Sequence, residues 1–107
     1  MPGWLLKPLK RIRELATARN VLFTLKALRE LAALEPGLDE QDACHVLANL
    51  TAEDSAGRLK SATTGEWMYV FKPRLSGTVL YVKVILRGNC VLISFHEDEG
   101  DSHEEDT

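Results

Sequence analysis

Thr78-Val79-Leu80-Tyr81-Val82-Lys83-Val84-Ile85-Leu86-Arg87 is the stretch that decides the fold. Side chains of a strand alternate between its two faces. Here Leu80, Val82, Val84 and Leu86 make one apolar face, and Tyr81, Lys83 and Arg87 fall on the other. Residues 66–74 repeat the pattern, with Trp67, Tyr69 and Phe71 inward and Met68, Lys72 and Arg74 outward. Residues 90–96 are expected to bury Val91, Ile93 and Phe95 and to show Ser94 and His96. Ser76-Gly77-Thr78 and Arg87-Gly88-Asn89-Cys90 read as hairpin turns, so the three segments form an antiparallel meander.

The chain before this region reads as helix. Leu9, Ile12 and Leu15 recur at helical spacing in a first helix over 8–18, with Pro8 in its first turn and Lys10, Arg11 and Arg13 on the wet side. Val21-Leu22-Phe23 suits a short strand. Thr24 is placed to cap a helix over 25–34 with Leu25, Leu28, Leu31 and Ala32 as its apolar stripe. Glu35-Pro36-Gly37 ends it, and a third helix over about 39–50 turns Ala43, Val46, Leu47 and Leu50 inward. Thr51–Asp54 reads as a capped turn leading into the strands. The expected class is α+β, with N-terminal helices packed on a C-terminal antiparallel β-sheet.

The net charge of −3 conceals an uneven distribution. Residues 97–107 hold seven acids and no Lys or Arg, which leaves 13 basic and nine acidic residues in 1–96. Residues 1–97 are expected to form one domain and 98–107 a disordered acidic tail that solubilises the chain or screens its basic surface. Cys44 and Cys90 lack metal or redox spacing and suit buried thiols in a reducing compartment. The N-terminus lacks the apolar run of a signal peptide, and no segment approaches the roughly 20 apolar residues of a membrane span, so a cytoplasmic protein is expected.

Between Arg58 and Arg87 stand six Lys or Arg and a single acid, Glu66. A solvated sheet face normally mixes both signs. A face carrying Lys72, Arg74, Tyr81, Lys83, Arg87, Ser94 and His96 suits a polyanion such as a phosphodiester chain. Ribonuclease chemistry asks for little more. The ribose 2′-hydroxyl must be deprotonated, the phosphorane neutralised and the leaving oxygen protonated. Lys and Arg serve the charge, while His, Tyr or Lys serve proton transfer. An ordinary imidazole titrates near pH ~6.5, which makes His96 the leading proton-transfer candidate. A structural reading stands beside each residue: Tyr81 as an amphipathic strand residue, His96 as a strand end beside Glu97 and Asp98. No zinc, phosphate-loop or protease motif appears, and no cofactor or metal is expected. The same face would also serve a non-catalytic RNA-binding module, or a protein-interaction domain that docks an acidic partner.

Four runs carry a resemblance: Lys60-Ser61-Ala62-Thr63-Thr64, Phe71-Lys72-Pro73-Arg74-Leu75, Tyr81-Val82-Lys83 and Val91-Leu92-Ile93-Ser94-Phe95. Together with the helix over Leu38–Leu50, they resemble the MqsR family of toxins from bacterial toxin–antitoxin pairs. The likeness spans roughly residues 8–97, with gaps around 55–66. It implies a fold similar to the RelE ribonucleases and a metal-independent endoribonuclease that cuts messenger RNA. It implies as partner an MqsA-like antitoxin with a zinc-binding N-terminal domain and a helix-turn-helix C-terminal domain. The family's active-site lysine falls at Lys60 and its tyrosine at Tyr81. Its final lysine falls at His96, where an imidazole replaces an ammonium. Its glutamine falls at Met68, which cannot donate a hydrogen bond. The resemblance thus implies Lys60, Tyr81 and His96 as catalytic residues and adds Met68 to the RNA-binding set that alternation and charge give as Lys72, Arg74, Lys83 and Arg87.

Overall fold

The computed structural model describes residues 1–99. Three helices precede most of the sheet: α1 (Leu6–Thr17), α2 (Leu25–Ala33) and α3 (Glu40–Ala48). The strands are β1 (Val21–Phe23), β2 (Ser55–Lys60), β3 (Trp67–Phe71), β4 (Arg74–Leu75), β5 (Thr78–Leu86) and β6 (Cys90–Glu97). The sheet order is β1-β6-β5-β3-β2, with β4 paired to the start of β5. The α+β class is as expected, but the sheet is mixed because β1 lies parallel to β6 on its edge. A crossover of this kind leaves no mark in the alternation of a three-residue strand.

Caps fix the helices. Asp39 and Asp42 exchange side chain and backbone in a capping box at the start of α3. The Thr24 hydroxyl oxygen accepts from Ala27 N at the start of α2 and donates to the Leu92 carbonyl of β6 at 3.1 Å. That tether sets the rotation of α2. Ala27 and Leu31 enter the core, whereas Leu25 and Ala32, expected on the buried stripe, are exposed. The core lies between helices and sheet. It joins Leu9, Ile12 and Leu15 of α1 and Val46 and Leu47 of α3 to Phe71, Leu80, Val82, Val84, Cys90, Leu92 and Phe95.

A bulge on β6 resets the alternation that the sequence suggested. Lys83 pairs with Ser94, but Val84 pairs with Leu92, so Ile93 is the extra residue. Before the bulge Cys90 and Leu92 face the helices; after it Phe95 does. Val91 and Ile93 therefore do not join the helix-side core. Val91 instead lies with Val70 and Ile85 in a smaller buried strip on the sheet's other face. The 66–74 segment is likewise two strands, broken at Lys72-Pro73. Ser76 and Gly77, with φ of 52° and 82°, close the β4–β5 hairpin in the left-handed conformation that two-residue turns of this kind require. Of the expected acidic tail, Asp98 and Glu99 are described. Asp98 N–H bonds the Val79 carbonyl at 2.8 Å, and residues 100–107 lie outside the described residues.

Candidate nucleic-acid interface

Register decides which of the expected residues can meet. Tyr81 pairs with His96, and Lys83, two residues along, pairs with Ser94. All four project from the face turned away from the helix-side core. The Tyr81 and His96 rings stack, with centroids 5.1 Å apart and planes 12° from parallel. His96 Nδ1 lies 2.8 Å from the Glu97 carbonyl oxygen. A carbonyl only accepts, so Nδ1 carries the hydrogen and the lone pair of the neutral ring sits on Nε2.

Helix α2 supplies the rest of this cluster. Lys26 Nζ donates to Ser94 Oγ at 2.8 Å and pairs with Glu30 at 2.8 Å. Glu30 Oε1 accepts Phe95 N–H at 2.8 Å. Strand β1 ends opposite Leu92, so its ladder does not reach Phe95, and the carboxylate takes its place. Burial works against ionisation of Glu30, but the Lys26 bond, the Phe95 amide and the charges of Lys26 and His96 prevail, and its carboxyl is held below the usual range. Burial pushes the Lys83 ammonium down; the nearby Lys26 charge adds to this and Glu30 opposes it. The Ser94 side chain is buried rather than displayed, because Lys26 lies against it.

Lys72 stands close to this end of the sheet, 3.4 Å from an Asp98 carboxylate oxygen. Arg74 is exposed on β4. Met68 pairs with Ile85 and is half-buried on the same face as Lys83. Arg87 is engaged elsewhere. Its Nε and a terminal nitrogen donate to both Glu66 oxygens at 2.9 and 2.8 Å, a bidentate pair that holds the Glu66 carboxyl down at about 2 and raises Arg87.

Lys60 lies apart from Tyr81 and His96. It pairs with Trp67, and Arg58 pairs with Tyr69, so both basic side chains share the helix-side face with those aromatics. The Arg58 guanidinium sits 3.8 Å from the Trp67 ring centroid and 4.6 Å from that of Trp4; Lys60 Nζ sits 4.6 Å from Trp67. Trp4 in turn tilts against Tyr69 at 5.9 Å. The loop after Lys60 is compact: Ser61 Oγ accepts from the amides of Thr63 and Thr64, and Ser61 N–H donates to Glu66 O at 2.8 Å.

Thus Tyr81, His96 and Lys83 come together, Lys72 flanks them, and Lys60 and Arg87 belong to the opposite end of the sheet. Nothing in the sequence marks Lys26 and Glu30 as part of this cluster. Their spacing of four marks an ordinary helix-surface pair, and only the cap that fixes the rotation of α2 brings them to β6. Among the described residues no group of three or more His, Cys, Asp or Glu is arranged to hold a metal ion. Among them, too, no helix is long and apolar enough to cross a membrane. Cys90 is buried against the core; burial, with Cys44 adding to it, pushes its thiol up to about 12, which leaves it inert as a nucleophile.

Residues 6–97 match the family described as "Motility quorum-sensing regulator, toxin of MqsA". The chain is also 33% identical over 93 residues to the mRNA interferase toxin MqsR of Escherichia coli (strain K12), an alignment covering 83% of this chain and 90% of that protein.

Proposed function

The chain belongs to the MqsR toxin family, and from that premise we propose that it is an endoribonuclease that cuts messenger RNA and arrests growth. The observation that carries this reading is the Tyr81–His96 stack on a lysine-bearing sheet face, with the His96 lone pair directed to Nε2. In the proposed reaction Nε2 removes the proton of a ribose 2′-hydroxyl. The 2′ oxygen forms a bond to the adjacent phosphorus as the bond to the 5′ oxygen breaks. Tyr81 gives its proton to that departing oxygen and is reprotonated through water from His96. The products are a 2′,3′-cyclic phosphate and a free 5′-hydroxyl. Lys72 balances the charge that builds on the phosphorane, and Lys83 bridges from it toward the neighbouring phosphate. These groups supply both proton transfer and charge, so we propose that the cleavage needs no metal.

Lys60, with Arg58 and Trp67, is better placed to hold the RNA than to join the bond-breaking step. Aromatic and guanidinium faces bind bases and backbone with little sequence preference. The protein partner in this reading is an MqsA-like antitoxin.

Purified protein incubated with messenger RNA and EDTA tests the proposal. Fragments ending in 2′,3′-cyclic phosphate are expected, together with growth arrest on expression without the antitoxin. Binding without cleavage by the folded protein overturns the enzymatic reading and leaves an RNA-binding module. Neither binding nor cleavage leaves a protein-interaction domain.

A further inference from the structure

We propose that Lys26 of α2, with Lys83 and Ser94, forms a second phosphate site beside the Tyr81–His96 pair, which takes the RNA phosphate next to the one that is cut. The inference rests on the ribonuclease reading and extends its site onto a helix. Two lysines share this patch: Lys26 donates to the buried Ser94 hydroxyl at 2.8 Å, and Lys83, the cross-strand partner of Ser94, lies near enough to feel the Lys26 and Glu30 charges. Glu30 is the carboxylate paired with Lys26, and it also accepts Phe95 N–H. Lys26, Lys83 and Glu30 together thus carry two positive charges against one negative. An ammonium has three donors. Ser94 and Glu30 take two of those on Lys26, and the third remains for a ligand oxygen. Burial and mutual repulsion weaken the Lys83 charge, a tension that a bound anion relieves.

The spacing suits a neighbouring phosphate. Lys83–Ser94 lies two residues along both strands from Tyr81–His96, a step of about 7 Å. That is comparable with the reach of one sugar–phosphate unit. Glu30 has a defined part as well. It anchors the bulged stretch of β6 one residue before His96 and draws Lys26 toward Ser94.

The test uses the full chain and two probes. One is a mixed-sequence 2′-O-methyl oligoribonucleotide, whose capped 2′ oxygen cannot attack; the other is cleavable RNA. Lys26→Ala is expected to weaken binding of the first probe about 5–10-fold at low salt. It should also flatten its log–log salt dependence by about 0.7, the share of one single-strand phosphate contact. On cleavable RNA the loss should appear in KM and not in kcat. Lys26→Arg should restore most of the affinity. Lys10→Ala, an exposed cation of α1, controls for net charge and should leave the slope unchanged. Equal slopes and affinities for Lys26→Ala and Lys10→Ala overturn the site, even if the wild type cuts RNA. A Lys26-dependent slope in a protein that cuts nothing keeps the site and removes the ribonuclease reading instead.

Discussion

The Arg87–Glu66 pair aside, the two ends of the sheet hold their cations in different ways. At the Trp67 end, Arg58 and Lys60 rest on aromatic rings, and among the described residues neither pairs with a carboxylate. At the His96 end, Lys26 and Lys72 each hold one, Glu30 or Asp98. A cation over a π face keeps its charge and its outward donors available. A cation already paired must exchange its partner for a phosphate, so much of the gain is offset. The first arrangement favours capture of any strand. The second favours a ligand placed well enough to outcompete a fixed acid, which is the demand of a site where chemistry occurs.

The largest effect tests that division directly. His96→Ala should lower cleavage on the order of 10²–10⁴-fold with little change in RNA affinity. Tyr81→Phe should follow it in kcat. His96→Lys would restore the family's residue and is expected to keep substantial activity if position 96 mainly supplies charge. Normal cleavage by a folded His96→Ala would assign catalysis to another group, with Lys60 first in line. Trp67→Ala should do the reverse. Losing the platform beneath Arg58 and Lys60 is expected to weaken RNA binding roughly tenfold, in keeping with about 1–3 kcal/mol for a stacking contact, while kcat stays within about twofold. A parallel collapse of kcat would break the contrast between the ends.

Legibility in the sequence follows the same contrast. Alternation in 78–87 gave the strand, its buried face and the outward Tyr81 and Lys83, because β5 is regular. The His96 side was also right, but the reason differs. The bulge at Ile93 shifts the phase, so Cys90 and Leu92 replace Val91 and Ile93 in the helix-side core, and Ser94 is covered. An extra residue leaves no signature in a run where both phases are apolar. Only family likeness groups Lys60 with Tyr81; its face depends on a second bulge between Ser55 and Gly57. The Arg87–Glu66 pair joins residues 21 apart in sequence, and no periodicity reports it. Lys26 became part of the site through the tertiary tether at Thr24.

A smaller effect probes how far acids restrain the His96 end. Asp98→Asn leaves the backbone bond to Val79 intact and releases Lys72. A surface or half-buried ion pair is worth roughly 0–1 kcal/mol. RNA affinity should therefore rise only about 2–5-fold, measured by anisotropy at fixed salt. The salt dependence should steepen as Lys72 gains a phosphate. Weaker binding would show that Asp98 holds Lys72 in its productive position instead of competing for it.

The smallest effect concerns the Trp67 end, where Glu66 and Arg87 close the edge next to the Lys60 loop. Arg87 lowers the Glu66 carboxyl to about 2 from an ordinary value of 4.5. A depressed carboxyl stabilises the fold where it is ionised in both folded and unfolded chains, and that stabilisation fades as pH falls through the folded value. The wild type should therefore melt slightly above Glu66→Gln at pH 6–7. The gap should close progressively between about pH 4.5 and 2, and high salt should narrow it at every pH because the pair is solvent-exposed. RNA affinity is expected to fall slightly on Glu66→Gln if the pair only braces the loop that follows Lys60. A rise in affinity would instead mean that the Glu66 pair withholds Arg87 from the RNA, so that an acid competes with the strand at the Trp67 end as Glu30 and Asp98 do at the His96 end.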